Sequence, residues 1–325
     1  MGRIHMACIF CQETKNKRDF SKEHVFPEAI GGSYLIFTVC RDCNSLLGHS
    51  VDPLLTEHPF IQFERHILRI SGKSGKIPFP LKNGVLTEDT ATEVRIEMNH
   101  AGIPHVVILP SVKRERREDG KETISIGLDS RDSHNVEKIL NKVRTRSNNP
   151  PLTAQELLSL EKREIKITPT VTTQLNIDTF HFHRAILKIV YELACEWLGT
   201  SYLSDETGMS IRKHILDPEM RSERLEKYSF KGIIEFYDIK NDPQQFFFWK
   251  DEPHSHIAYS FKNIQGIFVC VRIFKSFWGT FLVTGSTELY PDYQDKFLSI
   301  DPVSGKMRNY TLSEEISSMS SSISF

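Results

Sequence analysis

No apolar run in this 325-residue chain approaches the roughly 18 residues of a membrane-spanning helix. Basic charge is not in excess either. The 41 Lys and Arg against 42 Asp and Glu leave a formal net charge of −1, which argues against a general nucleic-acid coat protein and confines phosphate binding to a local face. The opening MGRIHMACIF is too quickly interrupted to read as a secretion signal. No internal repeat is present, and SGKSGK at residues 71–76 lacks the spacing of a phosphate-binding P-loop and reads as linker. Cysteine is scarce, with six in all. Cys195 and Cys270 stand alone in apolar surroundings and read as buried free thiols. That usage suits a reducing compartment, so a cytoplasmic location is expected.

The other four cysteines form two Cys-x-x-Cys knuckles, Cys8/Cys11 and Cys40/Cys43. Two tight pairs of thiolates are what a tetrahedral zinc site requires. Residues 12–39 between them exceed the usual interval of roughly 15–20. That stretch holds Glu23-His24, which a purely structural zinc does not need, and Asn44 directly follows the last cysteine.

Cys-x-x-Cys, then EHVFPEAIGG, then VCRDCNSLLG, resembles the zinc-stapled, four-cysteine branch of the HNH endonucleases. The resemblance implies a treble-clef-like ββα-metal finger: a β-hairpin followed by a helix. It implies His24 as general base, Glu23 and Asn44 as holders of a catalytic divalent ion, and Cys8, Cys11, Cys40 and Cys43 as ligands of a structural zinc. The family often has a second Asn in the hairpin, which Ser33 to Val39 lacks, and often His where Asn44 stands.

The residue types suit that chemistry. An imidazole with an ordinary pKa near 6.5 is partly neutral at cellular pH and can take a proton from water. A hard cation, Mg²⁺ or Mn²⁺, takes oxygen ligands such as a Glu carboxylate and an Asn carbonyl, whereas thiolates suit zinc. Asp52 is a further candidate ligand or a helix cap.

The remaining chain reads as mixed α+β with a β-rich C-terminal part. The expected division is a finger at 1–60, a linker at 61–90, an α+β recognition, regulatory or assembly region at 91–310, and a weakly ordered Ser-rich tail at 311–325. Residues 24–39 predict EHVF and YLIFTV strands joined by a Gly31-Gly32 turn. TEVRIEM, HVVILP, TISIGL and IKITPTVTTQLNI predict strands, with helices over 135–146 and 153–164. Apolar residues at three- and four-residue spacing predict a helix from His181 to Leu198, ended by Gly199. A helix over 208–216 and five strands follow.

Candidate basic stripes are Lys113, Arg114, Arg116 and Arg117; Lys138, Lys142, Arg144 and Arg146; and Lys15, Lys17 and Arg18. Each also reads as an ordinary solvated face, so the nucleic-acid-binding residues stay open. His181 and His183, two apart on a helix, point to different sides and read as hydrogen-bonded or solvated. Phe246 to Trp249 offer base-stacking rings, although alternation in a strand turns half of them inward. The expected function is a metal-dependent endonuclease acting on DNA, with RNA also open, in restriction or anti-phage defence, assembled as a homodimer or larger even oligomer. The alternative is a zinc-finger nucleic-acid-binding module without catalysis.

Overall fold

The computed structural model describes residues 5–73, 75–99, 103–116, 122–146, 149–217, 232–236, 254–275 and 277–322. The chain forms two compact units, one of Met1–Pro78 with Ile177–Phe325, the other of Phe79–Asn176. These limits do not coincide with residues 60, 90 and 310. Phe246 to Trp249 and Arg117 lie outside the described residues.

In the first unit, β1 (His5–Ala7) and β2 (Thr14–Asn16) form a hairpin that carries the first knuckle. The knuckle turns because Gln12 takes a positive φ of 61° and its N–H donates to Cys8 O at 2.8 Å. The second hairpin is shorter than expected: β3 (Glu23–His24) pairs only with β4 (Leu35–Ile36). The EHVFP stretch cannot continue as strand, because Pro27 has no N–H to donate and residues 28–30 curl into a 3₁₀ turn. That turn closes at Gly31 with φ +86°, a conformation L side chains rarely adopt.

Helix α1 (Arg41–Ser50) starts at the second knuckle, and α2 (Asp52–Thr56) and α3 (Pro59–Ile67) follow it. The span expected as linker therefore contains most of α3. An amphipathic face burying Ile61 explains why those residues are helical.

The second unit holds a four-stranded antiparallel sheet. Its strands are β5 (Asn83–Leu86), β6 (Glu93–Met98), β7 (Pro104–Ile108) and β10 (Val171–Thr172), in the order β10-β5-β6-β7. A separate hairpin pairs β8 (Ser111–Arg116) with β9 (Glu122–Gly127), and α4 (Val136–Arg146) and α5 (Ala154–Leu158) complete it. The stretch IKITPTVTTQLNI yields only β10, since Pro169 cannot donate to a ladder. α5 keeps its Thr153–Glu156 capping box but stops well short of residue 164, where a charged run offers no apolar face.

The centre of the first unit is α6 (Thr179–Leu198), followed by α7 (Glu206–Leu216). Phe182, Leu187, Val190, Tyr191, Leu193 and Ala194 are all buried, so α6 is apolar nearly all round, as a core helix must be. Against α6 lies an antiparallel sheet of β11 (Gly232–Phe236), β12 (His256–Asn263), β13 (Gly266–Ile273), β14 (Phe277–Thr284), β15 (Lys296–Ile300) and β16 (Met307–Tyr310), in the order β11-β14-β13-β12-β15-β16.

The Ser-rich tail expected to be weakly ordered is instead α8 (Leu312–Ser322). Thr311 and Glu314 cap it, with Thr311 N–H donating to Glu314 Oε2 at 2.8 Å, and buried Glu315 accepts from Tyr310 and Arg308.

The finger has no core of its own. Phe10, Phe26, Ile30, Val39, Leu47 and Leu55 belong to the same buried cluster as α6 and the inner sheet face. Each such side chain contributes about 1.5–3 kcal/mol on burial. Polar anchors fix the register. Tyr191 Oη donates to Ile9 O at 2.6 Å, and His256 Nε2 bonds Ile30 O at 2.8 Å.

Candidate active site and metal centre

The two knuckles converge. One sulfur from each of Cys8, Cys11, Cys40 and Cys43 lies within 4.8 Å of the others, and three of the four residues are buried. Among the described residues this is the one group of three or more His, Cys, Asp or Glu close enough to share an ion. Cys40 N–H donates to Cys8 Sγ at 3.3 Å, and Lys15 Nζ lies 3.5 Å from Cys40 Sγ.

The thiols perturb one another. A hydrogen bond from Cys43 holds Cys8 down at about 4, while the same bond pushes Cys43 up and burial raises Cys11. Four crowded sulfurs cannot all ionise against each other's charge without a cation, and a tetrahedral soft-metal site supplies one. Lys15 is also engaged by Asp42 at 3.0 Å and Glu13 at 3.2 Å, so this part of its basic stripe is already neutralised.

Beside the cluster, β3 presents Glu23 and His24. Asn44, in the first turn of α1, donates its Nδ2 to Lys22 O at 2.7 Å and to Ser21 Oγ at 3.0 Å. The amide thus locks α1 to the residue immediately before Glu23, and its Oδ1 is the atom left for other duty. His24 is half-buried, with Nε2 3.9 Å from Glu28 Oε2, and Lys73 reaches the same Glu28 oxygen at 3.2 Å. Burial lowers the His24 imidazole below its ordinary value, helped by Lys73 and Lys188 and opposed by Glu28. That shift favours the neutral ring, the form in which a base works.

Glu23 is buried, and its Oε1 accepts from the ammonium of Lys188 on α6. Burial raises its carboxyl while Lys188 pulls it back down. Lys188 Nζ also donates to His24 O at 3.1 Å, and lies 3.2 Å from Asp52 Oδ1 and 3.4 Å from Glu192 Oε2. Asp52, read as a candidate ligand or cap, is thus one wall of a buried charge cluster.

Neither Lys188 nor Glu192 was singled out by sequence reasoning. Their signal is a Lys and a Glu four apart among the apolar residues of a buried helix, where unpaired charges are costly. His181 bonds Asp178 at 2.5 Å, as a hydrogen-bonded histidine. Cys195 and Cys270 are buried, and burial pushes Cys270 up to about 11, so both are inert thiols.

A thiolate cluster that staples a hairpin and a helix, with an acid–histidine step on the hairpin and an amide at the start of the helix, defines a ββα-metal finger. Residues 8–60 match the family model of the HNH endonucleases. No curated protein and no solved structure matches the chain.

Proposed function

We propose that the chain is a metal-dependent endonuclease that hydrolyses phosphodiester bonds of DNA. The observation that supports this reading is that Asn44, bonded to Lys22 O, stands beside the strand that carries Glu23 and His24, in a finger matching the HNH endonucleases. The donor chemistry fits two kinds of metal. Cys8, Cys11, Cys40 and Cys43 would hold zinc as a structural staple. The Glu23 carboxylate and Asn44 Oδ1 are hard oxygen donors that would hold Mg²⁺ or Mn²⁺. Such an ion, when bound, polarises the phosphoryl oxygen and stabilises the departing 3′ oxygen.

The protein's own part is acid–base and positional. His24 takes the proton of the attacking water at its unprotonated ring nitrogen, and Glu28 at 3.9 Å stabilises the imidazolium that results. Asn44, through Lys22 O, keeps the helix start in register with the strand that carries His24.

One finger offers one base, so a double-strand break needs two fingers on opposite strands or one finger that rebinds after the first cut. A homodimer or larger even assembly would supply the pair, with closed two-fold symmetry as the commonest arrangement. Target choice then falls to the rest of the chain, in keeping with a role in restriction or anti-phage defence. A second reading, a nucleic-acid-binding finger without catalysis, is favoured by one observation: the Glu23 carboxylate already has a cationic partner in Lys188.

Plasmid DNA incubated with Mg²⁺ or Mn²⁺, with EDTA as control, separates the two. Cleavage that disappears in His24→Ala, with a loss of about 10²–10⁴-fold or more, supports the nuclease. Binding without cleavage supports the alternative. Early linear product marks a paired assembly, whereas accumulation of nicked circles marks a single finger.

A further inference from the structure

Lys188 is fully buried, and four oxygens surround its ammonium: a Glu23 carboxylate oxygen, the His24 main-chain carbonyl at 3.1 Å, Asp52 Oδ1 at 3.2 Å and Glu192 Oε2 at 3.4 Å. Three come from the finger and α2, and one from α6 itself. An isolated ammonium at such depth would lose its charge. Burial does pull Lys188 down, but Glu192, Asp52 and Glu23 together hold it protonated. Glu192 lies four residues on along the same helix and is also fully buried, which raises its carboxyl well above the ordinary value.

A surface anchor would not need this arrangement. The finger is already joined to α6 by Tyr191 on Ile9 O and by shared apolar packing. What Lys188 adds lies on the two residues that carry the chemistry. It grips the side chain of Glu23 and the backbone of His24 from the side opposite to solvent. Half-buried His24 is thereby left with its ring toward Glu28 and its main chain pinned both to β4, through the pairing with Leu35, and to α6.

We propose that Lys188 is a positioning residue of the catalytic centre, orienting the Glu23 carboxylate and the His24 imidazole from within the core without touching substrate. This rests on the nuclease reading above. It adds a requirement the finger alone does not state: the centre is complete only when α6 is in place.

Lys188→Met tests it, because Met keeps the length of the side chain and removes the charge. Leaving carboxylates buried without a cation strains the fold. Lys188→Met/Glu192→Met, which removes the buried ammonium and the buried carboxyl together, is therefore the companion variant. Zinc content, far-ultraviolet circular dichroism and unfolding midpoint establish that each is folded. Cleavage is then read at saturating Mn²⁺. The expected result is a kcat lower by about 10²-fold or more, as a misplacement of about 1 Å can produce, with KM for DNA within about threefold of the wild type.

A second readout needs neither substrate nor divalent ion. The ring ¹⁵N resonances of His24, assigned by their loss in His24→Ala, should shift or broaden in both variants, while those of His181 and His134 stay in place. A folded variant with wild-type kcat and an unmoved His24 signal overturns the proposal. So does failure of both variants to fold, which would make Lys188 structural only. Wild-type protein that never cuts DNA refutes the nuclease reading instead, and the ring signal then still decides the positioning.

Discussion

Replacing Gly31 by Ala reports on how the hairpin is held. Gly31 has φ +86°, and a Cβ there would sit 2.2 Å from Pro302 O, 2.6 Å from Pro302 Cα and 2.7 Å from Pro302 C. The backbone conformation alone costs an L residue about 1–2 kcal/mol. Contacts that short are with main chain, which cannot rotate away. The β15–β16 connection or the 3₁₀ turn must therefore shift, adding about 1–3 kcal/mol of overpacking. The sum, about 2–5 kcal/mol, is a large share of the roughly 5–15 kcal/mol that stabilises a folded protein.

Gly48→Ala is the control. It lies exposed in α1, nothing lies within 4 Å of its would-be Cβ, and its backbone is helical, so Ala should gain about 0.5–1 kcal/mol. Urea unfolding followed by circular dichroism should thus move the midpoint in opposite directions for the two variants. Zinc content should stay equal, because neither glycine touches a thiol. Cleavage should fall only in Gly31→Ala, since the displaced turn lies between the paired strands that present His24. Equal or higher stability of Gly31→Ala would refute the close approach and the strained turn together.

Protein purified without chelator should contain one zinc per chain by elemental analysis. Cys40→Ser should lose it together with the order of both hairpins, because so small a finger relies on the metal as part of its core. Acid should loosen the hairpin through His256, which is fully buried, bonds Ile30 O and stacks on Phe26. Burial lowers it to about 4. The sign follows from the unfolded chain, where an ordinary His near 6.5 takes up its proton first. Stability is therefore full above about pH 6.5, falls as pH drops toward 4 and then levels, by on the order of 3 kcal/mol at about 1.4 per unit. His256→Gln should flatten that slope in urea midpoints measured between pH 7 and 4. An unchanged slope would mean that His256 is not held neutral.

The local chemistry was legible where it is written in short spacings. Two knuckles, the Glu-His step, paired glycines and Asn44 all lie within about forty residues, and the structure places them at one finger. α6 was legible from its periodicity, because a helix with a buried face repeats its apolar residues locally. What stayed hidden depends on partners far along the chain. Glu23 and Lys188 are 165 positions apart, and no pattern near either residue names the other. The finger's dependence on a shared core was hidden for the same reason: Phe10 and Phe26 look like the interior of a small module until α6 and the sheet are seen against them. The shortened hairpin and the helical tail were local misreadings. Pro27 outweighed the β-forming residues around it, and the Thr311–Glu314 cap with buried Glu315 outweighed a serine-rich composition.

The long separation between Glu23 and Lys188 has a consequence for the newborn protein. Translation proceeds at about 5–20 residues per second, so the finger leaves the ribosome roughly 10–30 s before its lysine partner. Throughout that interval the ribosome holds a finger in which Glu23 and His24 lack the contacts that Lys188 makes with them. On the nuclease reading, unfinished copies would carry a finger whose centre is not yet assembled. Fragments released early by truncation or stalling would lack the same contacts, and the centre would be complete only once α6 is made.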